Sequence, residues 1–129
     1  MTEREALFQY RLRQAEETLQ EAERMIEGGF SARTVVNRAY YSMFYALLAL
    51  FLKAGIDTKT SKHSGMISLF DKELVRAGRI DKRYSRMLHD TFDARQEGDY
   101  REFAEVTIAD AGSALGNARE FLDMVKRAA

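Results

Sequence analysis

The chain has 129 residues, an apolar content of 46% and equal numbers of basic and acidic residues, 20 of each. This length suits one domain with a buried core, so we expect residues 1–129 to form a single domain. Cysteine is absent, which excludes a disulfide framework, a thiolate metal site and a cysteine nucleophile.

Glycines divide the chain into segments that each show helical periodicity. Gly28, Gly29, Gly55, Gly78 and Gly98 stand where helices are expected to end, because glycine enters the left-handed conformation without a steric penalty. The predicted helices cover residues 2–27, 32–54, 61–77, 81–97 and 100–127. The absence of proline and the short loops predict an all-α fold, an up-and-down antiparallel bundle of about five helices.

The first two helices carry the clearest signals. Thr2 and Glu5 have the spacing of a capping box, and Ser31 is a suitable N-cap for the second helix. The second helix is apolar nearly all round from Ala39 to Leu52, which predicts a central position in the bundle or in an oligomer interface. This run is too short to span a bilayer, and no signal peptide is recognisable, so we expect a cytoplasmic protein without membrane contact.

The last three helices each show one apolar stripe, and Asp81 is the expected cap of the fourth. The stripes are Met66, Phe70 and Leu74 in the third, Tyr84, Leu88 and Phe92 in the fourth, and Ala104, Ile108, Ala111, Leu115, Ala118, Leu122 and Val125 in the fifth. Five helices of this length do not cover both the second helix and the small-residue stripe of the fifth, which predicts a symmetric homodimer.

The middle of the chain is basic. Residues 53–86 hold nine basic and four acidic side chains. Such a segment can face phosphates or an acidic protein, and the alternative is a solvated surface of mixed charge.

The segment from Asn37 to Tyr45 is the first candidate site. Arg38, Tyr41 and Tyr45 are spaced to share one face of the second helix. A guanidinium beside phenol rings can hold a phosphate. The alternative is an aromatic packing stripe in which Arg38 ties two helices together.

The second and third candidate sites lie near helix ends. Lys62 adds charge at the start of the third helix, where the helix dipole favours an anion, and His63 is either an acid–base group or a structural histidine. Arg95 falls on or beside the buried face of the fourth helix and needs a partner, either Asp99 in a clasp over the next turn or a phosphate ligand. No metal motif occurs, and we expect neither a metal nor a cofactor.

Three stretches together resemble the HEPN family: Asn-Arg-Ala-Tyr-Tyr-Ser-Met-Phe-Tyr-Ala at 37–46, Lys-His-Ser-Gly at 62–65 and Arg-Gln-Glu-Gly-Asp-Tyr at 95–100. The resemblance is strongest to small prokaryotic members that are often encoded beside a minimal nucleotidyltransferase. It implies a four- to five-helix bundle, commonly a homodimer. It also implies a relation to toxin–antitoxin systems and to metal-independent ribonucleases.

The usual signature of those ribonucleases is an arginine followed four to six residues later by histidine. Arg95 matches the arginine, but Tyr100 stands in the histidine position. A tyrosine is a poor base at neutral pH, so His63 is offered as an alternative to Tyr100. The candidate catalytic set is therefore Arg95 with His63 or Tyr100.

Three functions follow as alternatives. The first is a module that binds RNA, a nucleotide or a partner nucleotidyltransferase. Its ligand-binding residues would be Asn37, Arg38, Tyr41, Tyr45, Lys62 and Asp99. The second is a metal-independent ribonuclease, and the third is a dimerising helical scaffold.

Overall fold

The structure is a computed structural model that describes residues 1–58, 62–100 and 105–128, without the side chains of residues 97–100. The described residues form five α-helices and no strand, so the predicted all-α class is confirmed. The helices are α1 (Glu3–Glu27), α2 (Ala32–Ala54), α3 (His63–Phe70), α4 (Lys82–Tyr100) and α5 (Ile108–Ala128).

The ends of α1 and α2 lie where the sequence predicts them. Thr2 and Glu5 form the expected capping box. Ser31 accepts a hydrogen bond from the backbone N–H of Thr34, and Gly55 ends α2 with a φ of 73°. Local capping chemistry therefore determines three of these four ends directly.

The boundary between α4 and α5 differs from the prediction. Helix α4 continues through Gly98 to Tyr100, and α5 begins at Ile108 instead of residue 100. The start of α5 is fixed by a reciprocal cap, because Thr107 N donates to Asp110 Oδ2 and Asp110 N donates to Thr107 Oγ1. Ile108, which was predicted to face inward, is 63% exposed because it stands in this first turn.

Helix α3 is shorter than predicted. It ends at Phe70 and is followed by a π-helical turn, Asp71–Val75. Asp71 binds this turn to α4, since its carboxylate accepts a hydrogen bond from Ser85 and lies 2.7 Å from His89 Nε2. The predicted start of this helix at residue 61 lies outside the described residues.

Helix α2 is the central element of the bundle, as its sequence predicts, and it packs on α1, α5 and α4. By length and composition alone it could cross a membrane, but 61% of its most apolar window is buried within the bundle. That burial is typical of a core helix. The predicted stripes are buried at Met66, Phe70, Leu74, Tyr84, Leu88, Ala111, Leu115, Ala118, Leu122 and Val125. Leu74 belongs to the π-helical turn and Phe92 is only partly buried, while Ala104 lies outside the described residues.

The contact between α1 and α2 is close because small side chains line it. Ala15, Ala22, Ala39 and Ala46 are fully buried, and the buried Ser42 hydroxyl donates to the carbonyl oxygen of Ala15 at 2.8 Å. This packing fixes which side of α2 turns away from α1, and that side carries the aromatic residues of the candidate site.

Candidate functional site

Aromatic and charged side chains from three helices meet where α2, α3 and α4 come together. We call Tyr40, Tyr41, Phe44, His63 and Arg95 the aromatic–arginine cluster. His63 and Arg95 both contact the rings of Tyr40 and Tyr41, so they occupy one site although 32 positions separate them in the sequence. The packing of α3 and α4 therefore brings an imidazole and a guanidinium into one site.

Tyr40 lies at the base of the cluster and is fully buried. Its hydroxyl lies 2.7 Å from Nδ1 of His63. Burial raises the pKa of the Tyr40 phenol well above its ordinary value, although the charge of Arg95 acts in the opposite direction. Tyr40 therefore stays protonated at neutral pH and serves as a hydrogen-bonding support for the imidazole.

His63 is the first residue of α3, and its ring lies flat on Phe44. The two centroids are 4.0 Å apart and the planes differ by 10°. Burial lowers the pKa of His63, and the positive charge of Arg95 lowers it further. The imidazole is therefore neutral at pH 7. Since Nδ1 faces Tyr40, Nε2 is the nitrogen left for contact with a ligand.

Arg95 approaches the cluster from α4. Its Cζ atom lies 5.4 Å from the centroid of the Tyr40 ring and 5.3 Å from that of Tyr41, both within the range of cation–π contacts. One of its terminal nitrogens, Nη2, donates to the Tyr41 hydroxyl over 3.4 Å. The rings of Tyr40 and Tyr41 thus help to position the guanidinium.

Tyr45 also adjoins the cluster, and Asn37 and Lys62 lie near its members in the sequence. The ring of Tyr45 lies 6.0 Å from that of Tyr41, and Asn37 precedes Tyr41 by about one helical turn on α2. Lys62 is exposed directly before α3. The side chains of Asp99 and Tyr100 lie outside the described residues, so the predicted Arg95–Asp99 clasp and the role of Tyr100 stay predictions.

Arg38 is not brought into the cluster. Its Nε atom lies 2.9 Å from a carboxylate oxygen of Glu21, so the guanidinium turns towards α1. The pairing agrees with the alternative in which Arg38 ties two helices together. The acidic face of α1 attracts this side chain away from Tyr41, although the two residues are three positions apart.

Sequence reasoning placed Tyr40 and Phe44 within the first candidate segment without giving either a role, and it read Phe92 as an inward-facing packing residue. In the structure the Tyr40 hydroxyl lies 2.7 Å from His63, Phe44 stacks on the imidazole, and the ring centroid of Phe92 lies 5.5 Å from that of Tyr40. The sequence did offer a signal for Tyr40, which lies in the part of the second helix that is apolar nearly all round. A buried hydroxyl needs a hydrogen-bond partner, and His63 is one of few candidates. In the described residues, no three histidine or carboxylate side chains come together as a metal site would require.

His63 predicts how stability depends on pH. Its pKa is lower in the folded chain than the ordinary value of 6.5, so the unfolded chain binds more protons between the two values. Stability conferred by the neutral ring is therefore complete above about pH 6.5 and is lost as the pH falls through the folded-state pKa. We expect His63→Gln to reduce the decrease in melting temperature between pH 7 and pH 5. An unchanged pH profile in this variant would show that His63 does not couple to folding.

Known proteins are similar to this chain over most of its length. The chain is 32% identical to a UPF0332 protein of Thermotoga maritima over 98% of this chain and 94% of that protein. It is 31% identical to a candidate toxin of Methanocaldococcus jannaschii over 90% of this chain and 77% of that protein. A UPF0332 protein of Archaeoglobus fulgidus is 36% identical over 94% of both chains. The family model that describes the HEPN domain matches residues 8–128. The chain therefore belongs to the HEPN domain family.

Proposed function

We propose that this HEPN module binds RNA at the aromatic–arginine cluster. The observation that carries the proposal is the position of Arg95, whose charge lies against the rings of Tyr40 and Tyr41 beside a neutral imidazole. A guanidinium in such a place can pair with a phosphate in two parallel hydrogen bonds. The neutral His63 adds a hydrogen-bonding group without competing for the same anion.

Aromatic rings beside the cation favour RNA over an isolated phosphate. Tyr41, Phe44 and Tyr45 are only half-buried, and their centroids lie 6.0–6.5 Å apart. Unpaired bases stack on such rings, and each stacked base contributes about 1–3 kcal/mol to binding. Exposed Lys62 belongs to the basic segment of residues 53–86, which supplies further charge for the phosphate backbone.

The test is RNA binding by an Arg95→Gln variant, which removes the charge but keeps a polar side chain of similar length. We expect it to bind a fluorescent single-stranded RNA at least about tenfold more weakly than the unmodified chain, because charge-assisted hydrogen bonds contribute about 1.5–3 kcal/mol. Fluorescence anisotropy at several salt concentrations measures both the affinity and the number of phosphate contacts.

Arg119→Gln is the matched control. Arg119 is an exposed arginine of α5 that pairs with Glu23, so its replacement changes the net charge equally without touching the cluster. Equal weakening by the two variants would mean that the overall charge, and not the cluster, governs binding. Affinity that does not depend on salt would also contradict a role for phosphate contacts.

The relatives suggest a biological setting. Two of the similar proteins are named as candidate toxins of Methanocaldococcus jannaschii. We infer that this chain acts in a toxin–antitoxin-type system, with a minimal nucleotidyltransferase as the partner expected from the family.

The exposed side chains of Leu7 and Tyr10 on α1 support the expected homodimer, because they offer apolar area to a second copy.

A second candidate function is RNA cleavage, which the neutral state of His63 favours. In the tautomer whose Nδ1–H donates to the Tyr40 hydroxyl oxygen, Nε2 of His63 is unprotonated and would take the proton of a 2′-hydroxyl as its oxygen attacks the phosphorus. Arg95 would stabilise the charge on the phosphate. The 5′-oxygen would leave with a proton from water. We expect chelator-treated protein to cleave single-stranded RNA, and His63→Asn to lower the rate about a hundredfold or more. Intact RNA after long incubation, with binding retained, would leave the module as a binder only.

A further inference from the structure

At the other end of α4, two arginines converge on one tyrosine hydroxyl. Arg83 Nη2 donates to the Tyr84 hydroxyl at 2.8 Å, and Arg127 Nη2, from α5, donates to the same oxygen at 2.9 Å. The guanidinium of Arg83 also folds back over the Tyr84 ring, with its Cζ atom 4.8 Å from the centroid. Tyr84 is only 5% exposed, so packing in the core fixes the position of its hydroxyl.

This group of side chains has more hydrogen-bond donors than acceptors. A phenol oxygen that accepts two hydrogen bonds still carries its own O–H, and each guanidinium has further N–H groups. Among the described residues, no acceptor receives the Tyr84 proton, and no carboxylate pairs with Arg83 or Arg127 within 4.0 Å. The carboxylates whose charges act on Arg83 are Asp81, which accepts from the backbone N–H of Arg83, and Glu120.

We propose that Arg83, Tyr84 and Arg127 form a second anion site, which binds a phosphate group. Three donors that approach from two helices and a buried ring match an anion with several acceptor oxygens. Tetrahedral phosphate offers an oxygen to each donor, whereas a planar carboxylate offers only two.

This site is separate from the aromatic–arginine cluster. Arg83 and Arg95 are twelve residues apart on one helix, which corresponds to about 18 Å. A phosphate at Arg83 therefore does not reach Arg95. The ligand could be free inorganic phosphate or a phosphodiester of a bound RNA, and the two sources are distinguished by experiment.

The test follows the Nε–H signals of the arginine side chains by NMR while inorganic phosphate is added at constant ionic strength. We expect saturable shifts for Arg83 and Arg127. Arg127→Gln and Tyr84→Phe should each weaken the apparent affinity for phosphate, by about tenfold or more for the arginine variant. Arg86→Gln, an equal charge change at an exposed position of α4, should leave it unchanged.

A titration with a single-stranded RNA then identifies the source of the phosphate. Saturation at lower concentration with RNA than with phosphate assigns the site to the RNA backbone, and equal concentrations assign it to free phosphate. The Arg95→Gln variant should still bind phosphate at Arg83, so loss of the cluster and loss of this site are distinguishable. Shifts that do not saturate, equal weakening by Arg86→Gln, or saturation by an acidic peptide but not by phosphate would overturn the proposal.

Discussion

Replacement of Phe70 by alanine is expected to lower the free energy of unfolding by about 3–5 kcal/mol, the range found for large aromatic side chains removed from protein cores. Phe70 is fully buried at the end of α3, and its ring lies 5.6 Å from that of Phe121 on α5. The two rings belong to different helices, so a shift of one helix alone does not close the cavity. Urea denaturation measures the loss.

The same substitution should disturb the site. Helix α3 has only eight residues, and a helix of that length is not stable by itself in water. Its position therefore depends on Met66, Ile67 and Phe70, the side chains through which it enters the core. We expect the backbone amides of α3 to exchange with solvent faster in Phe70→Ala. Ser68→Ala, at an exposed position of the same helix, is the control. A loss below about 1 kcal/mol would show that α3 is held in some other way.

The sequence predicts those parts of the fold that depend on local chemistry. The capping box at Thr2 and the glycine at residue 55 mark real helix ends, because a cap or a left-handed residue acts within one turn. Gly98 was expected to act in the same way but lies inside α4. A glycine permits a helix to end without requiring it, and the reciprocal cap of Thr107 and Asp110 decides where α5 begins.

The site was predictable in part. The motifs around Tyr41, His63 and Arg95 were recognisable as unusual for a packed helix, and the structure brings these three together. Arg38 is a residue whose partner cannot be predicted from helical spacing. Its helical position fits both Tyr41 and α1, and only the packing angle of α1 places Glu21 within 2.9 Å of it. The role of Tyr40 likewise depended on the position of α3, which residue spacing alone does not determine.

Tyr40→Ala should have the second large effect, because it removes the ring that supports both polar members of the cluster. The side chain is fully buried, so we expect a loss of about 3–5 kcal/mol in the free energy of unfolding. His63 would lose the partner of Nδ1, and Arg95 would lose one of its two cation–π contacts. RNA affinity should therefore fall even under conditions in which the variant is fully folded.

Tyr40→Phe separates the two roles of this residue. The ring remains, so core packing and the contact with Arg95 should persist, and the stability loss should be about 1 kcal/mol, the contribution of one hydrogen bond. Denaturation and RNA anisotropy on both variants measure the difference. If Tyr40→Phe weakens RNA binding as much as Tyr40→Ala, the hydroxyl that orients His63 is the essential group. If only Tyr40→Ala weakens it, the ring beneath Arg95 carries the effect, because cation–π support needs the ring and not the hydroxyl.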